Sequence, residues 1–439
     1  AFDNTCGPEW WNWFYFFDTM LMVPIHHNEY RISDVATYFV TFDFDGNIVD
    51  AHDIRLYAIS SSSSNIFGVC PLGLSQYSRF GIDKENNIHI FSCSGYARED
   101  SLHKAYIIVD NDTNRRYPLN VNTMNGIYFS SSVYYKMDSN WTLQTSRYMI
   151  DSITGWQPNC LGPSLAKILY SHVVVDNNEL YVNGFFECRD AYNIVQEISD
   201  TESFIAQIHL DSLHYLQIDN IRDFELMPFV LKMNTNGNIV WTQQIYTISP
   251  TCWGQNYFDG VQGLAVDEDR CFFSCSPSEF IETDVDRVLF YLDKEHQIPL
   301  INHAPTTILI ICYDKTTGIP VDFYWIDTTN VHTSTTLHNQ GDELILNVNY
   351  VNLKKSKLYK LNKHTRLSST LFPIGYNQLS SINNMSINDN GWILRGDIGS
   401  RTYIDDSIFV GNYSIAAVMT FYYDSSLDLR RRPCPQVDS

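Results

Sequence analysis

Basic residues are scarce in this 439-residue chain: 29 Lys and Arg stand against 50 Asp and Glu, a formal net charge of −21. Nucleic acids and anionic membranes are held through clustered Lys and Arg, so neither is expected as a partner. Charge of either sign is thin, at 18%, below the roughly 25% of an ordinary soluble domain. Long hydrophobic runs are missing too. The most apolar stretch, Trp10 to Ile25, is short for a membrane span and is broken by Asn12, Asp18 and Pro24, so no membrane insertion is expected. No helical 3.6-residue pattern lasts beyond about two turns. H-E-x-x-H, G-x-S-x-G and Walker sequences are all absent. No residue is therefore assigned a catalytic role, and an enzyme is not the leading expectation.

Apolar residues make up 44% of the chain and aromatic ones 14%. That is enough to fill a large core, which argues against disorder. Ten cysteines (Cys6, Cys70, Cys93, Cys160, Cys188, Cys252, Cys271, Cys275, Cys312 and Cys434) are scattered without C-x-x-C pairs. An even, scattered set suits disulfides in an oxidising compartment better than zinc. Cys271 and Cys275 share a strand face about 13 Å apart, too far to pair with each other. Each is expected to find a partner elsewhere or to stay a buried thiol. Four N-x-S/T sequons, at Asn111, Asn140, Asn384 and Asn412, fit the same secreted or cell-surface setting and N-linked glycans. The chain begins at Ala1 without Met, as a processed start would.

The informative pattern is a repeat. Seven apolar, often aromatic runs end in Asp or Asn before a polar turn and a second run: Asp43, Asp110, Asp138, Asn234, Asp314, Asn362 and Asp424. Three share Lys, apolar, Asp/Asn, at Lys136, Lys232 and Lys360. Asp45-Gly46, Asn236-Gly237 and Thr317-Gly318 supply the turn chemistry of β-hairpins. A second hairpin series turns at Asp83, Asp176, Asp267, His338 and Asn388. Two hairpins per unit make a four-stranded antiparallel meander, and repeated meanders make a β-propeller. The expectation is all-β: a single propeller of seven four-stranded antiparallel blades, with six or eight as alternatives. Residues 1–36 form an aromatic N-terminal segment, 37–433 the propeller with insertions near 189–228 and 277–305, and 434–439 a tail. Asp110 and Asp138 lie too close in sequence to belong to successive blades.

FVLKMNTNGNIVWTQQIY (229–246) resembles the secreted bacterial β-propeller repeat, whose strand ends in a K-apolar-D/N-x-x-G-N-apolar-apolar-W turn. YFVTFDFDGNIV (38–49) looks like the same unit without its Trp, and YDKTTGIPVDFYW (313–325) is similar to the D-x-x-T-G turn of quinoprotein-like propellers. The resemblance implies a propeller fold. Only Trp241 and Trp325 match its post-turn Trp, so a bound quinone is not implied, and no cofactor is expected to be required.

Among candidate sites, Asp43, Asp45 and Asn47 present oxygen ligands that suit calcium, although hairpin turns favour the same residues. Trp10, Trp11, Trp13 and Phe14 sit in WWNWFYFF, a segment suited either to docking on a neighbour by strand addition or to a first-blade hairpin. With no catalytic motif and an aromatic excess, the leading expectation is a non-catalytic, glycosylated structural or adhesive surface protein. It would associate with itself or with another surface protein. The alternatives are a propeller that binds a glycan or other ligand at its mouth, and a propeller hydrolase or lyase acting on extracellular polysaccharide.

Overall fold

The computed structural model describes residues 12–16, 19–23, 36–42, 48–60, 79–93, 102–110, 113–119, 132–154, 165–189, 205–219, 227–248 and 262–275. In the rest of the chain it describes 289–291, 297–299, 307–327, 334–350, 355–374, 380–388, 391–398, 402–404, 407–409 and 417–423. Apart from one short 3₁₀ turn (Thr113–Arg115), these residues carry antiparallel strands and turns.

Five sheets follow one another along the chain. Sheet II holds β5 (Arg79–Ile82), β6 (Ile88–Cys93), β9 (Ser132–Met137) and β10 (Leu143–Tyr148) in that spatial order. Sheet III holds β12 (Leu165–Asp176), β13 (Glu179–Arg189), β16 (Met227–Asn234) and β17 (Ile239–Gln244). Sheet IV holds β19 (Gly263–Val266), β20 (Arg270–Cys275), β23 (Thr307–Asp314) and β24 (Pro320–Asp327). Sheet V holds β25 (Ser334–Gln340), β26 (Glu343–Tyr350), β27 (Lys355–Asn362) and β28 (Ser368–Ile374). Sheet VI is three-stranded, with β29 (Ser380–Asn388), β30 (Gly391–Ile398) and β33 (Ala417–Tyr423). The first strands touch in succession, β5 to β12 to β19 to β25 to β29, which makes them the inner strands of a propeller-like stack.

Both faces of the middle strands of these sheets are buried, so strands such as β20 and β23 are apolar on both sides, whereas the outer strands β17 and β24 alternate. Phe91, Tyr134, Tyr170 and Phe229 fill the space between II and III. Tyr181, Trp241, Phe273 and Tyr313 fill that between III and IV. Phe272, Ile310, Leu346 and Tyr359 do the same between IV and V. This use of paired aromatic faces accounts for much of the aromatic excess.

The sixth sheet departs from a simple meander. Sheet I, ordered β3 (Ala36–Phe42), β4 (Ile48–Ser60), β7 (Leu102–Val109), β8 (Arg116–Leu119), is interleaved with sheet II. The β7–β8 hairpin enters between the second and third strands of sheet II and turns back to pair with β4. Two smaller copies repeat the device. The hairpin of β14 (Ile205–His209) and β15 (Tyr215–Asp219) pairs with β11 (Ser152–Thr154). That of β21 (Leu289–Tyr291) and β22 (Gln297–Pro299) pairs with β18 (Tyr246–Ile248). In sheet VI, β31 (Thr402–Ile404) and β32 (Ser407–Phe409) pair only with each other among the described residues. The close spacing of Asp110 and Asp138 is thereby explained: Asp110 belongs to the inserted hairpin. Among the described residues sheets I to VI are the larger ones, beside four smaller sheets of two or three strands.

The Asp/Asn turns share one geometry. Asp138 Oδ1 accepts the backbone N–H of Asn140 and Thr142, both at 2.9 Å. Asn234 accepts those of Asn236 and Asn238, Asp314 those of Thr316 and Thr317, and Asn362 those of His364 and Thr365. Asp83 and Asp267 do the same in the other hairpin series. One side-chain oxygen is all such a turn requires, so Asp and Asn interchange.

Candidate functional site

The turns between first and second strands, and between third and fourth, lie at one end of the stack. The inserted hairpins lie in second-to-third connections, and therefore at the other end. The two ends carry different polar chemistry.

At the turn end the sheets are clasped by ions. Lys315, in the outer turn of sheet IV, reaches back to Asp176 in the inner turn of sheet III. Lys363 of sheet V repeats the contact on Asp267 of sheet IV, at 3.0 Å and with side chains only 4% and 13% exposed. Burial works to raise the Asp267 pKa. The Lys363 hydrogen bond, the backbone N–H groups of Arg270 and Asp269 and the Lys363 charge outweigh it and hold the carboxyl below its ordinary value. In sheet III the matching position is Thr235, whose carbonyl accepts from Tyr134 of sheet II at 3.3 Å. Without a lysine there, Asp83 is bonded within its own sheet to Asn87 and to His89, itself bonded to Tyr134. The shared Lys-apolar-Asp/Asn pattern also gains a role: Lys232 pairs with Glu179 at 2.7 Å, Lys360 with Glu343 at 2.5 Å and Lys136 with Asp83 at 3.9 Å. Trp241 docks on the next sheet, donating to Lys315 O at 3.2 Å and lying under Gly318. Gly318 has φ +73°, and a Cβ there would meet the indole at 2.6 Å. Sheets I and II are clamped by His52, held between Asp50 and Asp110 and packed on Trp141.

Away from the turns the groups are mostly uncharged, and they sit four or five residues before the inner turn: at or beside the start of β5, β19 and β25, and midway along the longer β12. Arg79 Nε donates to Ser171 O at 2.5 Å, joining II to III. His172 Nδ1 donates to the Gln262 carbonyl, and Asn183 Nδ2 donates to the same oxygen at 3.1 Å, joining III to IV. Asn183 Oδ1 in turn accepts the His172 N–H at 2.9 Å. Gly263 N donates to Ser274 Oγ at 3.0 Å and to Thr335 Oγ1 at 3.2 Å, joining IV to V. Gly263 permits that approach, since a Cβ would lie 2.7 Å from Leu337 N. Asn183, Gln262, Ser274 and Thr335 are all buried. A carbonyl can only accept, so the His172 proton is on Nδ1 and Nε2 is the acceptor of the ring. Burial, and after it the Arg79 charge, pull the His172 pKa down to about 4 against the opposing effect of the Gln262 carbonyl, so the ring is neutral at pH 7.

The residues singled out from the sequence are only partly placed. Asp43, Asp45 and Asn47 lie outside the described residues, as do Trp10, Trp11, Asn111 and Asn412. Trp13 and Phe14 fall in β1 (Asn12–Phe16), paired with β2 (Thr19–Val23). Asn140 is exposed on the Asp138 turn. Asn384 lies within β29 beside a register shift. Three disulfide candidates, Cys271, Cys275 and Cys312, are buried free thiols. Cys271 and Cys275 face sheet III whereas Cys312 faces sheet V, which keeps Cys312 from both. Cys93 and Cys188 are in β6 and β13 with side chains outside the description; Cys6, Cys70, Cys160, Cys252 and Cys434 are outside it altogether. Among the described residues no His, Cys, Asp and Glu group is arranged to hold a metal, and no helix is long and apolar enough to cross a membrane. Arg79, His172 and Gln262 were not anticipated from the sequence. Their only local signal is one polar residue heading each apolar run before Asp83, Asp176 and Asp267.

No protein-family profile matches the chain, and no curated protein does. Among solved structures it is similar to an exo-β-1,3-galactanase from Phanerochaete chrysosporium, with 8% identity and a TM-score of 0.39 over 86% of this chain and 66% of that one. It is also similar to a GH43 β-1,3-galactosidase, with 8% identity and a TM-score of 0.35 over 89% and 96%. The Dos1 propeller gives 9% identity and a TM-score of 0.32 over 81% and 60%. The chain thus spans less than two thirds of the galactanase and of the Dos1 chain. Identities and TM-scores this low carry no activity across.

Proposed function

We propose that this chain is a secreted, propeller-like glycan-binding module whose site lies at the insertion end of its inner strands. The sheets belong to one ring, with the inner strands lining its channel. The observation that supports this reading is the run of amide, hydroxyl and neutral imidazole groups that follows the Arg79 guanidinium along successive inner strands, through His172 and Gln262 to Thr335. Ligand sites combine a few convergent polar groups with an otherwise apolar wall, and uncharged donors and acceptors match the hydroxyls of a neutral sugar. The inserted hairpins crowd the same end, whereas the opposite end is closed by paired ions. This reading takes precedence over the structural or adhesive role suggested by composition, because it rests on placed side chains. Exposed Asn140 supports a glycosylated surface.

Isothermal titration of the full chain with neutral oligosaccharides tests it. Saturable binding is expected, weakened at least about 10-fold by Thr335→Val, which removes one hydroxyl from this run. Failure of every neutral oligosaccharide to bind would sink the proposal. Release of reducing ends during the titration would move the chain to the polysaccharide-hydrolase alternative.

A further inference from the structure

We propose that the Tyr134 hydroxyl is a proton-operated latch between sheets II and III: with His89 neutral its one proton goes to His89, and with His89 protonated it goes to the Thr235 carbonyl of sheet III. The groups form a buried chain. Asp83 Oδ2 lies 3.0 Å from His89 Nε2, His89 Nδ1 lies 2.9 Å from Tyr134 Oη, and Tyr134 Oη lies 3.3 Å from Thr235 O. The Asp83 and His89 side chains are 1% and 0% exposed. Burial works to raise the Asp83 pKa, but hydrogen bonds from Asn87 and His89 outweigh it and hold the carboxyl below its ordinary value. Asp83 is thus ionised at pH 7 and only accepts, so His89 Nε2 carries a proton. Burial, and then the Asp83 charge, push the Tyr134 phenol up, so it keeps its single proton.

One proton cannot serve both neighbours of Tyr134. While His89 Nδ1 is bare it takes the phenol proton, and Thr235 O goes without. Once Nδ1 is protonated it donates to Tyr134 Oη, and the phenol proton turns to Thr235 O. One hydrogen bond is added, and it crosses the seam. Burial does most to pull the His89 pKa down; the hydrogen bond and charge of Asp83 oppose it, Lys136 adds to the fall and Glu85 counters it. Asp83 and Glu85 come from the inner turn, and Lys136 from β9, 3.9 Å from Asp83. Arg147 of β10, in the same seam, is committed to the Gly237 and Leu210 carbonyls. Val173, Val175 and Met233, packed there from sheet III, carry no charge. The ring is therefore neutral at pH 7 and the latch closes in acid. Protonation costs the fold overall, and the new bond offsets part of that cost. Lys84, Glu85 and Asn86 of the turn are exposed, so a local opening there admits the proton. The next two seams are held by Lys315 and Lys363, whose charge does not depend on a titrating ring. Only where Thr235 replaces that lysine does the contact pass through a histidine.

The test follows the Thr235 carbonyl by NMR in the full chain, isotope-labelled at threonine carbonyls, asparagine amides and histidine rings. Threonine precedes asparagine only at Thr113, Thr235 and Thr329, so a carbonyl–amide correlation spectrum is sparse, and Asn236→Asp identifies the Thr235 signal by its loss. His89→Gln identifies the ring signals of His89 in the same way. At pH 7 the wild-type ring is expected to carry its proton on Nε2 alone. As pH falls toward 4, Nδ1 gains a proton and the Thr235 carbonyl resonance moves downfield with the same midpoint. In Tyr134→Phe the carbonyl is expected to stay put while His89 still titrates, and in His89→Gln it no longer responds to pH. A carbonyl shift that does not follow His89, or that follows it equally in Tyr134→Phe, overturns the proposal. So does a chain that unfolds before His89 titrates. If Tyr134→Phe does not fold, agreement or disagreement of the two wild-type midpoints decides.

Discussion

At the turn end of the stack, Lys315 and Lys363 each reach one sheet back to a carboxylate, and Lys232 and Lys360 each hold an acid within their own sheets. At the insertion end, the same sheets are joined by an imidazole, an asparagine, a serine and a threonine. A buried ion pair gains little net energy over an apolar pair, but losing one partner leaves a charge stranded. Ions at the turn end therefore penalise any slip of one sheet on the next. Neutral groups at the other end exchange partners at lower cost. The ionic end holds register more strictly than the neutral one.

The hardest way to break this contrast is Asp267→Ala. It strands Lys363, 4% exposed, and uncaps the inner turn of sheet IV. A loss of about 3–5 kcal/mol is expected from denaturant unfolding, against a much smaller loss for Thr335→Val at the other end. Equal losses would mean that the two ends do not differ as described. Gly318→Ala comes next. Its left-handed backbone disfavours a side chain and the new methyl meets the Trp241 indole, so about 2–4 kcal/mol is expected. A shifted tryptophan emission spectrum would locate the damage at the seam between III and IV.

The turn end was legible in the sequence and the insertion end was not, for a physical reason. An Asp or Asn that caps its own turn is a local device, so Asp138, Asn234, Asp314 and Asn362 announce themselves by spacing. The Lys-apolar-Asp/Asn pattern was visible for the same reason, although its acid partners, Glu179 and Glu343, come from another strand. Asn183, Gln262 and Thr335 meet only because three separate sheets stack, and nothing local marks them. Interleaving obscures the repeat spacing likewise. Asp110 turns like its counterparts, but its hairpin pairs backwards onto β4, a non-local choice. The cysteines misled through composition: an even, scattered set reads as disulfides, yet Cys271, Cys275 and Cys312 serve as small apolar core residues.

Acid separates the two ends by a smaller margin. A folded His172 pKa of about 4, beneath an ordinary 6.5, means that protonation favours the unfolded chain. Its contribution is complete above about pH 6.5 and is lost as pH falls toward 4. Asp267 and Glu179 are shifted below their ordinary values of 3.8 and 4.5, so their contributions last to lower pH and go only as pH falls through the folded values. His89 and His338 are also shifted down by burial, so wild type alone does not isolate the insertion end. The informative measurement is the difference in Tm between wild type and His172→Asn across pH 7 to 4. The variant is expected to lose less Tm than wild type on acidification. Parallel curves would remove His172 from the account.

The finest division of the two ends uses a single strand. Cys271 and Cys275 lie on the same face of β20, the first beside the Asp267 turn and the second toward the insertion end. Burial pushes both thiols up, and the Cys312 thiol to about 12, so native protein at pH 7 holds all three unreactive. Modification therefore requires opening, and which thiol reacts first reports which end has opened. Pulsed labelling with an acid-tolerant disulfide reagent, mapped by peptide mass, is expected to find Cys275 ahead of Cys271 in wild type near pH 4.5. There His172 has begun to lose its neutral form while the Lys363–Asp267 pair is intact. In Asp267→Ala at pH 7 the order reverses, because the stranded lysine loosens the turn end first. An expected ratio of only about two- to threefold makes this the most delicate of the tests, since local openings differ by small free energies. Simultaneous labelling under both conditions would show that sheet IV opens as one unit, and that the chemical contrast between its ends has no mechanical consequence.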